Sequence, residues 1–197
     1  CRVEAVPPSY QHHYHCTTAN RAAILGLGVL LPAGPCSPRE AHHAIRCGYN
    51  GVGQVPTARW QLGADQAWPD PIAQRVSHGG FVRGAQLVDN AAFNISSAEA
   101  ACMDPQQRLL LERGYVAFHQ AAMHRSGLLG SLTGVYLGIA ATDFNEVLAK
   151  FPNGGGVYKA TGATLSIASG RLSYVLGLQG PCISYDTACS AALTAGH

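Results

Sequence analysis

The sequence predicts an α/β fold in which strands and helices alternate in packed layers. Apolar, β-prone runs occur at residues 22–31, 134–139 and 181–185. Helical stretches with recognisable start and stop residues fill the intervals between them. The resulting order is β-α-α-β-α-α-β-α, and strands alternating with helices in this way pack as an α/β layered domain.

Each element has a local reason. Residues 1–20 carry Pro7-Pro8 and His12-His13-Tyr14-His15-Cys16 without hydrophobic periodicity, and are expected to be a linker or disordered tail. His12, His13, His15 and Cys16 are metal-ligand types, but adjacent residues rarely converge on one tetrahedral site, so adventitious binding is the expectation. Residues 22–31 form an apolar run interrupted by Gly26 and Gly28, which reads as a buried strand. Leu31 stands where a dinucleotide fingerprint needs its third glycine, so that reading is discarded. Ser37-Pro38-Arg39-Glu40 is a capping box with proline at the first helical position, and Gly48 closes that helix.

Residues 49–90, with Trp60 and Trp68 among many glycines and prolines, are expected to be an irregular excursion covering a site or interface. Ser96 and Glu99 make a second capping box. Asp104-Pro105 opens a stronger helix, with Leu110, Leu111, Gly114, Tyr115, Phe118, Ala121 and Ala122 on one face and Gly127 as its expected end. Residues 134–139 are the second strand. Residues 143–151 are expected to be helical, followed by the turn Gly154-Gly155-Gly156. Residues 163–176 form a helix rich in small side chains, with Gly177 as its cap.

The composition excludes several classes. Charged residues are only 12% of the chain, about half the usual ~25%, while the hydrophobic fraction of 47% is ordinary. That balance implies that much of the surface is covered by a partner subunit or by further parts of the same domain. A net charge of +2 is too small to imply attraction to nucleic acid or membrane. No stretch approaches about 18 consecutive apolar residues, so no membrane span is expected. The seven cysteines contain no C-x-x-C pair, and their irregular spacing fits a reducing compartment, cytoplasmic or organellar, for a soluble protein. In that setting the sequon Asn94-Ile95-Ser96 is expected to be silent.

The run Ser184-Tyr185-Asp186-Thr187-Ala188-Cys189-Ser190-Ala191-Ala192-Leu193 holds the most chemistry. A strand arrives at Asp186-Thr187 and a small-residue helix leaves, expected to lie buried between layers. A cysteine at such a junction faces unpaired N–H groups and the positive end of a helix dipole, both of which favour a thiolate. Cys189 is therefore a candidate nucleophile, against the alternative of a small core residue. Asp186 can cap the N–H groups at the start of that helix. His42, His43, His78, His119 and His124 read as structural. Arg171 reads as the anchor of a buried acid or carbonyl.

Met103-Asp104-Pro105-Gln106-Gln107-Arg108-Leu109-Leu110-Leu111-Glu112 resembles the helix signature of the β-ketoacyl synthases of modular polyketide synthases. Thr133-Gly134-Val135-Tyr136-Leu137-Gly138 resembles their next strand. Thr161-Gly162 through Ser169-Gly170-Arg171-Leu172-Ser173-Tyr174 resembles the following helix, and Asp186-Thr187-Ala188-Cys189-Ser190 resembles the active-site cysteine motif. The resemblance runs from about residue 22 to the last. It implies a thiolase-like fold, with this chain as the N-terminal half of an αβαβα layered ketosynthase. Residues 21–197 are thus expected to be that half-domain, truncated in the nucleophile helix.

The resemblance also implies the chemistry. Cys189 takes an acyl group from a carrier-protein thioester, and its backbone N–H serves in an oxyanion hole. A malonyl-type extender then undergoes decarboxylative Claisen condensation onto that group. Two catalytic histidines of the family lie beyond the cysteine and are absent from these residues. His197 matches an ordinary helix position and does not replace them. No cofactor or metal is expected, because substrates ride on the phosphopantetheine of an acyl carrier protein. Acyl carrier protein, a homodimeric copy and other polyketide synthase domains, in cis or in trans, are the expected partners. Thr164 is expected near the dimer interface. Cysteine rather than glutamine at 189 argues against a decarboxylase-only relative.

Three departures from the family pattern stand out: Phe93-Asn94-Ile95-Ser96 in place of Phe-Gly-Ile-Ser, Gly28-Val29-Leu30-Leu31-Pro32 in place of an ending in Cys-Arg-Phe-Pro, and Ser190-Ala191-Ala192 in place of a serine run. Asn94 fits if its backbone is left-handed. The rival readings are a catalytically incomplete acyl-binding or dimer-scaffold relative, and a thiol hydrolase. The 197 residues alone are not expected to complete a condensation.

Overall fold

A computed structural model describes residues 22–59, 69–141, 143–150 and 156–197. The expected tail at 1–20, with His12, His13, His15 and Cys16, lies outside the described residues, as do Trp60, Trp68, Gly154 and Gly155. The elements are α1 (Pro38–Arg46), β1 (Val52–Gln54), α2 (Asp70–Val76), β2 (His78–Gly80), α3 (Ser97–Ala101), α4 (Pro105–Gln120) and α5 (Arg125–Leu128). There follow β3 (Val135–Gly138), α6 (Phe144–Ala149), α7 (Lys159–Ala163), α8 (Leu165–Leu176), β4 (Cys182–Tyr185) and α9 (Ala191–Ala195). Short 3-10 turns at Gly156–Tyr158 and Ala188–Ser190 precede α7 and α9.

β3 and β4 pair in parallel, in register from Val135 opposite Cys182 to Gly138 opposite Tyr185. Parallel strands need a long crossover, and the chain supplies one through α6, α7 and α8. The core lies between this strand pair and the helices α4 and α8. One cluster joins Phe93, Ile95, Ala100, Met103 and Leu111, and a second joins Leu128, Val135, Leu176 and Leu178. Leu172 of α8 packs against both, so α8 is the spine linking them. Among the described residues, no helix is long and apolar enough to cross a membrane.

Several helix ends follow their local signals. The Ser37 hydroxyl accepts the Glu40 N–H, and Gly48 at φ 62 closes α1, with Gly48 and Tyr49 donating to the carbonyls of Ile45 and Ala44. α8 ends in the same paired pattern at Gly177, φ 69. Asn94 sits at φ 54, the left-handed geometry its place in the sequence required.

Four expectations are corrected. Residues 22–31 are not a buried strand: no strand pairs with them among the described residues, and Ile24 is 86% exposed. The segment instead lies against α4, with the Leu27 N–H donating to Gln120 Oε1 at 3.1 Å. Its two glycines permit this approach, since a Cβ on Gly26 or Gly28 would stand within about 2 Å of the Ala117 or Arg113 carbonyl oxygen.

The excursion at 49–90 is not wholly irregular, because β1 and β2 pair antiparallel with α2 beside them. β2 reads His78-Gly79-Gly80, which carries no strand propensity to announce it.

The long helix ends at Gln120, and Gly127 lies inside α5. Ala122 at φ 57 takes the left-handed place, with Ala122 and Met123 donating to the carbonyls of His119 and Phe118. Alanine where glycine is usual hid this cap. Phe118 and Met123 both pack on the cluster holding Leu128, and that burial offsets the strained turn. Finally, the helix expected at 163–176 starts two residues later, as α8 at Leu165, because α7 ends at Ala163 and Thr164 is extended.

Asp104 is the buried N-cap of α4, accepting the Gln106 N–H at 2.7 Å while its own N–H donates to the Gly162 carbonyl. Burial raises its carboxyl above the ordinary aspartate value and the Asp143 charge adds to this, while hydrogen bonds from Gln106 and the charge of Arg108 oppose it. A carboxyl whose folded-state pKa is raised contributes stability that is complete below its unfolded pKa and is lost as pH rises through the folded value. Asp104→Asn keeps the accepting oxygen and cannot ionise. Denaturation midpoints should therefore show the variant gaining on wild type as pH rises from about 4, the ordinary aspartate value, through the raised folded-state value. Parallel pH profiles would refute this account.

Candidate active site around Cys189

β4 delivers the chain to Asp186-Thr187, and the 3-10 turn Ala188–Ser190 carries Cys189 at its centre. Ala188 adopts φ 53, a left-handed conformation that costs a non-glycine residue roughly 1 kcal/mol. Local hydrogen bonds hold it there. Asp186 Oδ1 accepts the Ala188 N–H at 3.2 Å, and the Ser190 hydroxyl donates to the Thr187 carbonyl at 2.9 Å. The Thr187 and Thr194 hydroxyls lie 3.2 Å apart, and Thr194 Oγ1 donates to the Ser190 carbonyl at 3.2 Å. The turn is thus braced from both sides without using the thiol.

The arrangement differs from the sequence reading in two ways. α9 starts at Ala191, so Cys189 precedes the helix and Asp186 holds the turn rather than the helix itself. The helix expected to lie buried between layers has only Ala191 buried, and Asp186 and Cys189 before it are exposed. The reason is coverage: among the described residues β4 has one paired neighbour, β3, and Cys182 and Ile183 are exposed. One groove lies beside α1, lined by residues including Ser37, Glu40, His43 and Cys47, and another lies behind the turn, lined by residues including Leu165, Ser169, Ser184 and Asp186.

Behind the turn, side chains remote in sequence fix β4. The Ser184 hydroxyl donates to the Leu165 carbonyl and to Ser169 Oγ, each at 2.9 Å, tying β4 to α8. α7 and the Thr164 cap of α8 are tied in turn to α4, where Gln107 Nε2 donates to the carbonyls of Thr161 and Thr164 at 3.2 and 3.4 Å. Arg171 completes this clamp. Its Nε donates to Gln107 Oε1 at 2.7 Å, Nη1 to Glu99 Oε1 at 2.5 Å and Nη2 to the Thr161 carbonyl at 3.3 Å. Arg171 therefore anchors an acid and a carbonyl, as its sequence context suggested. Glu99 does not close its capping box: the Ser96 hydroxyl accepts the Glu99 N–H, but the Glu99 carboxylate turns to Arg171.

The remaining residues play no part in the turn. His42, His43, His78, His119 and His124 are exposed, and the rings of His119 and His124 meet edge to face. His197 lies past the end of α9. The Thr164 hydroxyl donates to the Ala160 carbonyl. Cys36, Cys47, Cys102, Cys182 and Cys189 form no disulfides among the described residues. Among the described residues, no group of His, Cys, Asp or Glu has the geometry of a metal site. Sequence reasoning missed Glu99, Gln107 and the Ser169–Ser184 pair as supports. Gln107 and Glu99 lie 64 and 72 residues from Arg171, beyond the reach of any local pattern.

Comparison with known proteins places this geometry in a family. The chain is 41% identical over 179 residues to polyketide synthase GfsB of Streptomyces halstedii, spanning 89% of this chain and 3% of that protein. It is 42% identical over 185 residues to mycoketide-CoA synthase of Mycobacterium tuberculosis, spanning 92% of this chain and 4% of that protein. The chain is thus a small fraction of the length of these relatives. Among solved structures, the ketosynthase from module 6 of the bacillaene synthase of Bacillus subtilis 168 superposes with a TM-score of 0.72 at 31% identity, covering 89% of this chain and 27% of that one. The fold is accordingly the α/β, thiolase-like fold of ketosynthases, represented by its N-terminal half. Residues 19–197 match the family described as β-ketoacyl synthase, N-terminal domain, and the chain belongs to that family.

Proposed function

We propose that this chain is the nucleophile-bearing half of an elongating β-ketoacyl synthase within a polyketide-type enzyme. The Cys189 thiolate attacks the carbonyl of an acyl thioester, and the phosphopantetheine thiol of an acyl carrier protein leaves. A malonyl-type extender loses CO2, and the resulting carbanion attacks the acyl-cysteine. The Cys189 thiolate is released, and the product is a β-ketoacyl thioester two carbons longer. The oxyanion of each tetrahedral step is held in part by the Cys189 N–H. Asp186 braces the turn and does not react. The observation that carries this reading is an exposed thiol at the apex of a strand-to-helix turn, braced by groups other than the thiol.

The chemistry needs no resident cofactor or metal. The partners are an acyl carrier protein, a second copy of the ketosynthase, and other polyketide synthase domains. The five cysteines named above, none in a disulfide, favour a reducing compartment, cytoplasmic or organellar. Condensation requires histidines supplied by the second half of the domain.

Incubating the full-length synthase with an acyl thioester, then with malonyl-carrier protein, tests this. Intact-protein and peptide mass spectrometry should find the acyl group on the Cys189 peptide, discharged as β-ketoacyl product on addition of extender. Release of free acid without extension would identify a hydrolase. The absence of any adduct would identify a scaffold.

A further inference from the structure

We infer that Gly138, the last residue of β3, is a positioning residue for Cys189. It acts through the start of α9, and its importance for reactivity rests on the condensation chemistry proposed above. Gly138 pairs with Tyr185 at the end of β4, and the next residue, Ile139, donates its N–H to the Tyr185 carbonyl at 3.0 Å. A Cβ at Gly138 would lie 2.4 Å from the backbone carbon of Ala191 and 2.4 Å from the nitrogen of Ala192. Side-chain adjustment cannot relieve a collision with main-chain atoms, so either α9 or β3 would have to move.

Ala191 is 4% exposed and follows Cys189 by two residues. Between Tyr185 and Ala191 the chain crosses the strained Ala188, whose φ of 53 leaves little freedom to absorb a shift. The thiol is therefore set from two sides. β4 fixes the entry to the turn through Ser184, and the backbone contact at Gly138 fixes its exit. Pushing α9 off β3 by the width of a methyl group moves the Cys189 thiol and N–H together, relative to any bound thioester.

The same strand pair offers a matched control at its other end. A Cβ on Gly180 would stand 2.4 Å from the Thr133 carbonyl oxygen and 2.5 Å from that of Leu132, a collision of similar severity before β4 begins. Gly170 on α8 has open space around its Cβ position and is the neutral control.

The experiment compares Gly138→Ala, Gly180→Ala and Gly170→Ala in the full-length synthase. It measures the rate and KM of Cys189 acylation, the melting temperature, and amide hydrogen exchange over residues 188–195. Gly138→Ala should slow acylation by about 100-fold at nearly unchanged KM, the scale of a misplacement near 1 Å, and should speed exchange over 188–195. Gly180→Ala should lower the melting temperature comparably but leave acylation within about threefold, and Gly170→Ala should match wild type.

Equal losses of acylation in Gly138→Ala and Gly180→Ala, or a wild-type rate in Gly138→Ala, would overturn the inference. If Gly138→Ala yields no folded protein, Ala191→Gly loosens the backbone of α9 where it meets Gly138, and a wild-type acylation rate there overturns the inference equally. A wild-type enzyme that never acylates would refute the proposed function. The exchange data would still decide whether Gly138 holds the turn.

Discussion

Cys189→Ala in the full-length synthase should abolish acyl-enzyme formation and lower condensation by about four orders of magnitude or more, the scale at which loss of a covalent nucleophile is felt. The variant should keep its fold. The thiol makes none of the bonds that shape the turn: Asp186 holds the Ala188 N–H, Ser190 holds the Thr187 carbonyl, and Thr194 holds Ser190. Trimming the thiol to a methyl group breaks none of these bonds, and stability should stay within about 1 kcal/mol of wild type. The pairing of lost chemistry with retained stability is what marks a nucleophile. Peptide mass spectrometry after incubation with an acyl thioester, run beside a melting curve, reads both. β-Ketoacyl product from the alanine variant would end the assignment.

Arg171→Leu should have the largest effect on stability. Arg171 is 8% exposed and links three groups from α3, α4 and α7. Leucine fills part of the space but leaves the Glu99 carboxylate and the Gln107 carbonyl without their donor. Breaking a buried pair from one side costs about 3–5 kcal/mol, because the partner charge stays behind. The Glu99 side chain is 26% exposed and can recover some hydration, which points to the lower end, about 3 kcal/mol.

Adding Glu99→Gln to Arg171→Leu removes the stranded charge, so the double variant should recover part of the loss. Denaturant midpoints of the intact ketosynthase provide the measurement. A single variant that costs less than about 1 kcal/mol would show that the clamp does not hold the α8 entry, and with it the path to β4.

Much of this was legible in the chain because it depends on neighbours a few residues apart. The Ser37 and Ser96 caps, the glycine caps at Gly48 and Gly177, and the left-handed Asn94 are all local events. So is the strand-to-turn passage through Asp186-Thr187-Ala188-Cys189, whose sequence alone suggested the nucleophile and, with the helix motif at 103–112, the family. Local rules failed where a distant partner competed. Ala122 took a place that sequence rules reserve for glycine because Phe118 and Met123 could bury themselves against Leu128. Glu99 left its capping box because Arg171, buried 72 residues away, needed a carboxylate.

The sequence by itself therefore determined the serine and glycine caps, the alternation of helices with the strands at 134–139 and 181–185, the cysteine turn and the family. Only the tertiary structure decided that residues 22–31 lie against α4, that Glu99 and Gln107 serve Arg171, and that Gly138 meets the backbone of α9. The physical reason is range. Caps and turns are settled by hydrogen bonds within about five residues, whereas strand pairing, buried ion pairs and backbone contacts depend on which distant segment arrives.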